Sequence, residues 1–541
     1  MKCIWAVFIC SLSMLCCKGS KGIADSAISE KSVRRYISTL SSDEFQGRKP
    51  FTPGEEKTVS YLVKEASRIG LKPGNGESFI QEVPMTEING HPSPTLELTG
   101  TTPISLHLRD QYVAFTQRPV AEINLKESEL VFCGYGIVAP EYGWNDYAGL
   151  NMKGKTALVL VNDPGLGGED TTFFKGNTMT YYGRWTYKYE EAARQGAAGI
   201  LIIHETSMAG YPWTVVQGAG SGAKLNLRKL NYTPCELQGW ITLDAAKEIF
   251  SKAGLDLQKT MMAARKPGFS AIPLPYKVTG NIKNEIRENV SKNVIGIIPG
   301  TDQKEEFIIF SAHWDHLGIG VPVDGDSIYN GACDNATGSA ALLAIAGSML
   351  HTGPYHRSIA FLWVTGEEQG LLGSAYYAAN PIYPPAKTVA NLNIDAMATF
   401  GEMNDLSVIG FGQSDLENYA ARWAEKQNRY ILPDQEPEKG YFFRSDHFNF
   451  AKIGIPSLYA KGSFDQRPNG KEYAKEQHDE YRMSRYHQPA DEFDKATFNL
   501  KGILQDGTLY LNVAKELANN QDWPGWKKGS EFKDIREKSL K

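Results

Sequence analysis

The chain has 541 residues, a hydrophobic fraction of 42%, a charged fraction of 22% and a formal net charge of -5. These values are typical of a globular protein, and the length predicts two domains or one domain with a large insertion. The weak negative charge, without a long basic run or a basic amphipathic helix, argues against nucleic acid as a partner.

The first element is a short apolar run over residues 4–17, flanked by Lys2 and Lys18. A positive start and a short apolar core followed by small residues are typical of a secretory signal, here residues 1–17. The run is too short to span a bilayer as a stable helix. The sequence therefore predicts export to the periplasm, to the medium or to a lipid anchor on the outer surface.

Cysteines at the end of this run bear on the choice between these destinations. Cys16 or Cys17 is placed where a bacterial lipoprotein carries its lipid-acceptor cysteine, although Leu15 is a poor match to the small residue expected before it. A lipid anchor and plain secretion therefore both remain open.

The cysteines of the mature chain are few and far apart, at Cys133, Cys235 and Cys333. This spacing is not a disulfide framework and offers no CxxC pair for a metal. A metal site in this chain must therefore use histidines and carboxylates.

The region after the signal mixes helices with short strands. Apolar residues at helical spacing predict helices over residues 32–40 and 55–69, the second ended by Gly70 and Pro73. Alternating short runs with turn residues predict strands from residue 79 to about residue 120.

Residues 129–278 carry an α/β pattern of their own. The sequence predicts a strand over residues 156–161, a helix over 187–195 and a second apolar run over 199–203. These segments resemble the protease-associated domain, a small module inserted into many exported peptidases. The alternative interpretation is simply another α/β subdomain.

From residue 293 onward, short apolar strands alternate with helices. Strands are predicted over residues 293–298, 307–312, 358–364, 389–394, 406–409 and 456–460, and helices over 336–350 and 416–427. This rhythm predicts a mostly parallel central sheet with helices on both faces. Ligands and catalytic groups of such sheets lie beyond the carboxyl ends of the strands.

Polar side chains follow several of these strands. His313 follows the strand predicted over 307–312, Glu367 and Glu368 follow 358–364, and Asp395 follows 389–394. Two further candidates come from loops, and these are Asp334 and His487. Zinc takes imidazole and carboxylate ligands, so this set predicts a zinc site at one edge of the sheet.

The segments around these residues resemble the co-catalytic zinc aminopeptidases of the bacterial leucine aminopeptidase family. That family includes members with a protease-associated domain, of the plasma glutamate carboxypeptidase type. The segments are 312–316, 332–338, 366–374, 392–395 and 486–487. The resemblance covers residues 293–517 and implies the zinc exopeptidase fold.

The resemblance implies two Zn2+ ions and a ligand role for five residues. Asp334 bridges both ions through its two oxygens. His313 and Asp395 complete one site, and Glu368 and His487 complete the other.

It also implies roles for residues that do not bind metal. Glu367 is the general base, Asp315 orients His313, and Tyr486 donates a hydrogen bond to the oxyanion. His316 has no metal role in the family, and His447 has a supporting role in the substrate pocket.

The function implied is that of an exopeptidase removing single residues from peptide N-termini. A carboxypeptidase or dipeptidase of the same family is the alternative, because Arg444, Arg482 and Arg485 could clamp a free carboxylate. A glutaminyl cyclase would need a single zinc, and a non-catalytic binding protein on this fold would lose metal ligands. The sequence keeps all five ligands and Glu367, which favours an enzyme.

These assignments divide the chain into five parts. They are a signal segment at 1–17, an N-terminal part of the catalytic domain at 25–128, a protease-associated domain at 129–278, the zinc peptidase domain at 279–518 and a polar tail at 519–541. We expect the tail to be loosely ordered.

Overall fold

The computed structural model describes residues 28–219 and 222–541. The predicted signal segment, with Cys16 and Cys17, lies outside these residues. Cys133, Cys235 and Cys333 are free and buried, as their spacing predicts. Among the described residues, each helix is too short or too polar to cross a membrane.

Helices lie at the start, between the strands and at the end of the described chain. Their bounds are Glu30–Leu40, Pro53–Ile69, Trp185–Arg194, Thr206–Ala209, Trp213–Ala219, Leu243–Lys252, Leu257–Ala264, Thr337–Thr352, Leu372–Ala379, Leu416–Lys426, His447–Lys452, Gly470–Glu480, Lys501–Asn519 and Lys533–Ser539. The helices predicted from apolar spacing are confirmed to within a few residues at each end.

Strands fall into two groups along the chain. Those before residue 271 are Lys72–Pro73, Ile80–Pro92, Thr95–Gly100, Ile104–His107, Tyr112–Phe115, Glu122–Phe132, Val138–Ala139, Trp144–Asn145, Thr156–Leu160, Gly199–His204, Ala223–Leu227 and Leu237–Thr242. Those after it are Ile272–Ile298, Gln303–His313, Gly318–Val323, Asp326–Tyr329, Arg357–Val364, Thr388–Asn393, Asp405–Val408, Tyr430–Pro433 and Ser457–Lys461.

Four adjacent parallel strands form the centre of the second group. In spatial order they are Arg357–Val364, Gln303–His313, Thr388–Asn393 and Ser457–Lys461. An antiparallel strand flanks them on each side, Ile272–Ile298 on one and Asp405–Val408 on the other. The prediction of a mostly parallel sheet is therefore confirmed.

Both faces of this sheet are covered. Ile309 packs in a cluster with Tyr377 and Phe450 on one face. Its neighbour Ile308 joins the cluster on the opposite face, which contains Leu342 and Leu509 of two long helices. Alternate residues thus enter two different cores, which explains why the strands are apolar throughout.

The strand Ile272–Ile298 connects the two regions. It is 27 residues long, whereas the sequence predicts a strand only over 293–298. Its first half pairs with Glu122–Phe132 and its last residues with Arg357–Val364. Hydrogen bonding therefore continues across the predicted domain boundary at residue 278. The interpretation of residues 129–278 as a protease-associated domain stays a prediction.

The expectation of a loosely ordered tail is wrong. Trp526 is 5% and Phe532 is 2% exposed, and the Phe532 ring stacks on Phe442 at 5.8 Å. Arg536 donates hydrogen bonds to the carbonyl oxygens of Pro385 and Thr388, at 2.7 and 2.8 Å. The tail is polar on average, but Trp526, Phe532 and Arg536 attach it to the rest of the protein.

We expect Phe532→Ala to lower the free energy of unfolding by about 3–5 kcal/mol, because it empties a buried aromatic site. Ile535→Ala is a matched control in the same segment, since Ile535 is 40% exposed, and should change stability by less than about 0.5 kcal/mol. Urea unfolding measures both. Equal effects of the two substitutions would contradict the packing of the tail.

Candidate metal centre

Three of the predicted ligands lie at one edge of the parallel sheet. His313 is the last residue of Gln303–His313. Glu368 and Asp395 follow the two strands that pair with it in parallel, one on each side. Parallel strands have their carboxyl ends at the same edge of the sheet. Residues that follow neighbouring strands therefore lie close together.

Two more ligands are supplied by turns. Asp334 lies in the turn Ala332–Ala336 ahead of a long helix, and its N–H donates to Asp491 Oδ2 at 3.1 Å. His487 follows the turn Tyr481–Arg485 and has a φ of 57°. Both residues thus occupy irregular backbone held by neighbouring groups.

Asp334 contacts an imidazole with each of its carboxylate oxygens. Its Oδ1 lies 3.2 Å from Nε2 of His313, and its Oδ2 lies 3.6 Å from Nε2 of His487. Asp395 Oδ1 is 3.3 Å from the same nitrogen of His313. Glu368 Oε2 is 3.0 Å from the same nitrogen of His487. The five residues therefore form two groups that share Asp334.

These separations fit zinc. Nitrogen and oxygen ligands lie about 2.0–2.2 Å from zinc in a tetrahedral site, which places two ligands of one ion about 3.3 Å apart. The distances from the imidazole nitrogen to the carboxylate oxygens are 3.2 and 3.3 Å in the His313 group and 3.6 and 3.0 Å in the His487 group, close to that value. Each group also offers the imidazole and carboxylate donors that zinc prefers.

The charge of the surroundings favours cations as well. Asp315, Asp446 and Asp491 are 0%, 1% and 2% exposed, and they add three carboxyl groups to those of the ligands. Burial raises the pKa of Asp446 to about 7. Such a concentration of buried carboxyl groups is costly without positive charge close by.

Glu367 lies at the same centre. Its ligand atoms group with those of His313 and Glu368 within 4.8 Å, and its N–H donates to Asp315 Oδ1 at 3.1 Å. Burial raises the pKa of Glu367, and the neighbouring charge of Asp395 raises it further.

Asp315 contacts His313 mainly through its main chain. The Nδ1 of His313 lies 3.1 Å from the carbonyl oxygen of Asp315 and 3.8 Å from its carboxylate. The main chain therefore orients the imidazole. The carboxylate instead accepts from the N–H of Glu367 and positions that residue.

Tyr486 borders the centre on its open side. Its ring stacks on the ring of His487 at 3.9 Å, and the residue is 46% exposed. A phenol in this position can reach both solvent and a molecule bound at the centre.

His316 has a larger part in the geometry than the sequence indicated. Its Nδ1 lies 2.7 Å from Glu368 Oε1, and its ligand atoms also group with those of Asp334 and Glu368. A separation of 2.7 Å is that of a charge-assisted hydrogen bond. We therefore interpret His316 as the residue that fixes Glu368, with His487 as the ligand.

Two supporting contacts were not predicted. Ser445 Oγ donates to Asp395 Oδ2 at 2.6 Å. Asp491 accepts from the N–H groups of Cys333 and Asp334. Both residues lie close in sequence to predicted site residues, Ser445 near His447 and Asp491 near His487, but their partners are far away in the chain.

Arg48 stabilises the main chain around the centre, and the sequence did not predict this role. It is 1% exposed and donates to the carbonyl oxygens of Trp314, Asn330 and Gly331 at 2.5–2.8 Å. Burial lowers its pKa to about 10, while nearby carboxylates, that of Asp315 first, act in the opposite direction. No sequence pattern marks this residue.

Comparison with known proteins identifies the family of this region. Residues 293–511 match the model of peptidase family M28. All five predicted ligands and Glu367 lie within that segment. The matched residues, called the M28 segment below, make up less than half of the chain.

Curated relatives match over parts of their length. Aminopeptidase NAALADL1 of Mus musculus is 31% identical over 138 residues, which is 24% of this chain and 17% of the relative. Leucine aminopeptidase 1 of Trichophyton equinum is 31% identical over 185 residues, or 32% and 48% of the two chains. The chain thus spans less than half the length of either relative.

Solved structures overlap more of the chain at lower identity. An aminopeptidase from Aneurinibacillus sp. strain AM-1 is 20% identical, with a TM-score of 0.49 and coverage of 92% of this chain and 96% of that chain. The zinc aminopeptidase BSAP from Bacillus subtilis is 19% identical, with a TM-score of 0.44 and coverage of 94% and 98%.

We predict that Arg48→Met lowers the free energy of unfolding by at least about 3 kcal/mol, because charged hydrogen bonds to buried carbonyl groups are lost together. It should also weaken zinc binding, since the Asp334 turn loses its support. Arg34→Met is the control, because Arg34 forms only a surface pair with Glu30. Unfolding curves and zinc titrations of both variants check this, and an Arg48 variant as stable as the control would contradict it.

Proposed function

We propose that the chain is an exported zinc-dependent aminopeptidase that removes single residues from the N-termini of peptides. The observation that carries the proposal is the double contact of Asp334, which shares one carboxylate between two imidazole–carboxylate groups. The match of residues 293–511 to peptidase family M28 and the similarity to two aminopeptidases support the choice of reaction.

The proposed metal sites follow the two groups. His313, Asp334 and Asp395 would hold one Zn2+, and Asp334, Glu368 and His487 would hold the other. Zinc supplies a water of lowered pKa and polarises a bound carbonyl group.

The chain itself supplies proton transfer and orientation. We assign Glu367 as the general base, which takes the proton of the attacking water and passes it to the leaving amine. Asp315 fixes the main chain of Glu367 for this role. The exposed phenol of Tyr486 is assigned to donate a hydrogen bond to the oxyanion of the tetrahedral intermediate.

The contacts of two of the three candidate arginines, Arg482 and Arg485, argue against their use in a carboxypeptidase or dipeptidase. Arg482 pairs with Glu436 at 3.0 Å, and Arg485 pairs with Glu480. These two side chains are already neutralised and are therefore poor clamps for a free C-terminus. Export, with either a secreted or a lipid-anchored product, is proposed from the sequence of residues 1–17.

The roles of two adjacent glutamates provide the test. Glu367→Gln keeps the size of the side chain and removes its basicity, so we expect two zinc ions per chain and a kcat lower by roughly 10²- to 10⁴-fold. Glu368→Gln is the matched variant and should lose affinity for one zinc. Zinc content and hydrolysis of an aminoacyl amide are measured on both.

Opposite results would reassign or refute the site. Loss of zinc from Glu367→Gln with retention in Glu368→Gln would exchange the two roles. Wild-type protein that stays fully active after chelation would refute the proposed function.

A further inference from the structure

Two arginines, Arg184 and Arg444, have no acidic partner among the described residues. Among the described residues, neither Arg184 nor Arg444 forms an ion pair, and the Nε of each is buried without a hydrogen bond. Arg444 donates one hydrogen bond, to the carbonyl oxygen of Lys439 at 2.7 Å. Both residues are partly buried, and a partly buried charge without a partner is stabilised when an anion approaches it.

The two side chains belong to turns that contact each other. The N–H of Arg184 donates to the carbonyl oxygen of Tyr181, and that of Arg444 donates to Tyr441, both at 3.0 Å. The ring of Tyr181 lies 6.0 Å from the ring of Phe443, so the turns meet. Arg184 therefore extends from the region 129–278 toward a residue of the M28 segment.

The surroundings of the pair leave its charge uncompensated. Burial lowers the pKa of Arg184 to about 9, and the like charge of Arg444 lowers it further. The guanidinium groups lie 5.8 Å from the Trp185 ring and 5.2 Å from the Tyr441 ring. These contacts with neutral rings stabilise a cation without cancelling its charge.

Arg444 is adjacent in sequence to a residue that contacts a predicted metal ligand. Arg444 directly precedes Ser445, which donates to the ligand Asp395 at 2.6 Å. Neighbouring Cα atoms are about 3.8 Å apart, and an extended peptide advances about 3.3–3.6 Å per residue. Arg444 is therefore joined through one peptide bond to a residue that holds a predicted zinc ligand.

We infer that Arg184 and Arg444 together bind a carboxylate of the substrate peptide. The enzyme then prefers peptides with an acidic group within two residues of the scissile bond. Guanidinium groups match carboxylates in geometry as well as charge. This inference rests on the proposed function and deepens it, because it names the substrate class.

The test compares peptides that differ only by Glu or Gln at each of the first three positions, together with free-acid and amidated C-termini. We expect the zinc-loaded wild-type protein to favour one carboxylate position. Arg184→Gln and Arg444→Gln should each reduce the Glu-to-Gln ratio of kcat/KM by roughly 10- to 100-fold, as expected for charged hydrogen bonds. Arg482→Gln is the control and should leave the ratio unchanged, because Glu436 already neutralises Arg482.

The outcomes separate the inference from the proposed function. Rapid hydrolysis with a ratio near one at every position, in wild type and variants, would overturn the inference alone. If no peptide is hydrolysed, the proposed function fails, and calorimetry with Gly-Glu-Gly and Gly-Gln-Gly decides the inference. Preferential binding of Gly-Glu-Gly that is lost in Arg184→Gln would support it, and equal binding of both peptides would overturn it.

Discussion

The carboxylate of Asp334 is the interaction on which the rest of the site depends. One oxygen faces His313 and the other faces His487, so a change in the position of this side chain disturbs both groups. Its main chain is fixed in turn by Asp491, and the preceding residues Asn330 and Gly331 are fixed by Arg48. Several buried polar contacts thus hold this one side chain in position.

Much of the fold and the site could be predicted because parallel strands converge. His313, Glu368 and Asp395 each lie at or after the carboxyl end of an apolar strand. The parallel pairing of these strands places the three residues at one edge of the sheet. The positions of the main helices could also be predicted, because their apolar residues recur at helical spacing. These features depend on local patterns, which a sequence displays directly.

The remaining features depend on contacts between distant parts of the chain. Arg48 is separated by 266 residues from Trp314, whose carbonyl it binds, and it belongs to no recognisable pattern. The burial of Phe532 was concealed by the polar residues around it. Two further contacts depend on local geometry. They are the contact of His313 with the carbonyl oxygen of Asp315 and the contact of His316 with Glu368. Spacing alone does not specify such contacts.

The region 129–278 and the tail each contact the M28 segment at several places, one of which is the helix His447–Lys452. Glu190 accepts from Lys452 at 3.1 Å, and Tyr181 packs on Phe448 at 4.9 Å. Glu531 of the tail pairs with Lys175. The short helix that contains Phe448 and Lys452 follows directly after Ser445 and Asp446. Packing outside the centre is therefore joined to the segment that supports its ligands.

Zinc-edge anomalous diffraction from crystals of the zinc-loaded protein tests the central claim most directly. The account predicts two peaks, one in contact with His313 and Asp395 and one in contact with Glu368 and His487, with Asp334 reaching both. A single peak, or a second peak held by His316 in place of His487, would contradict it.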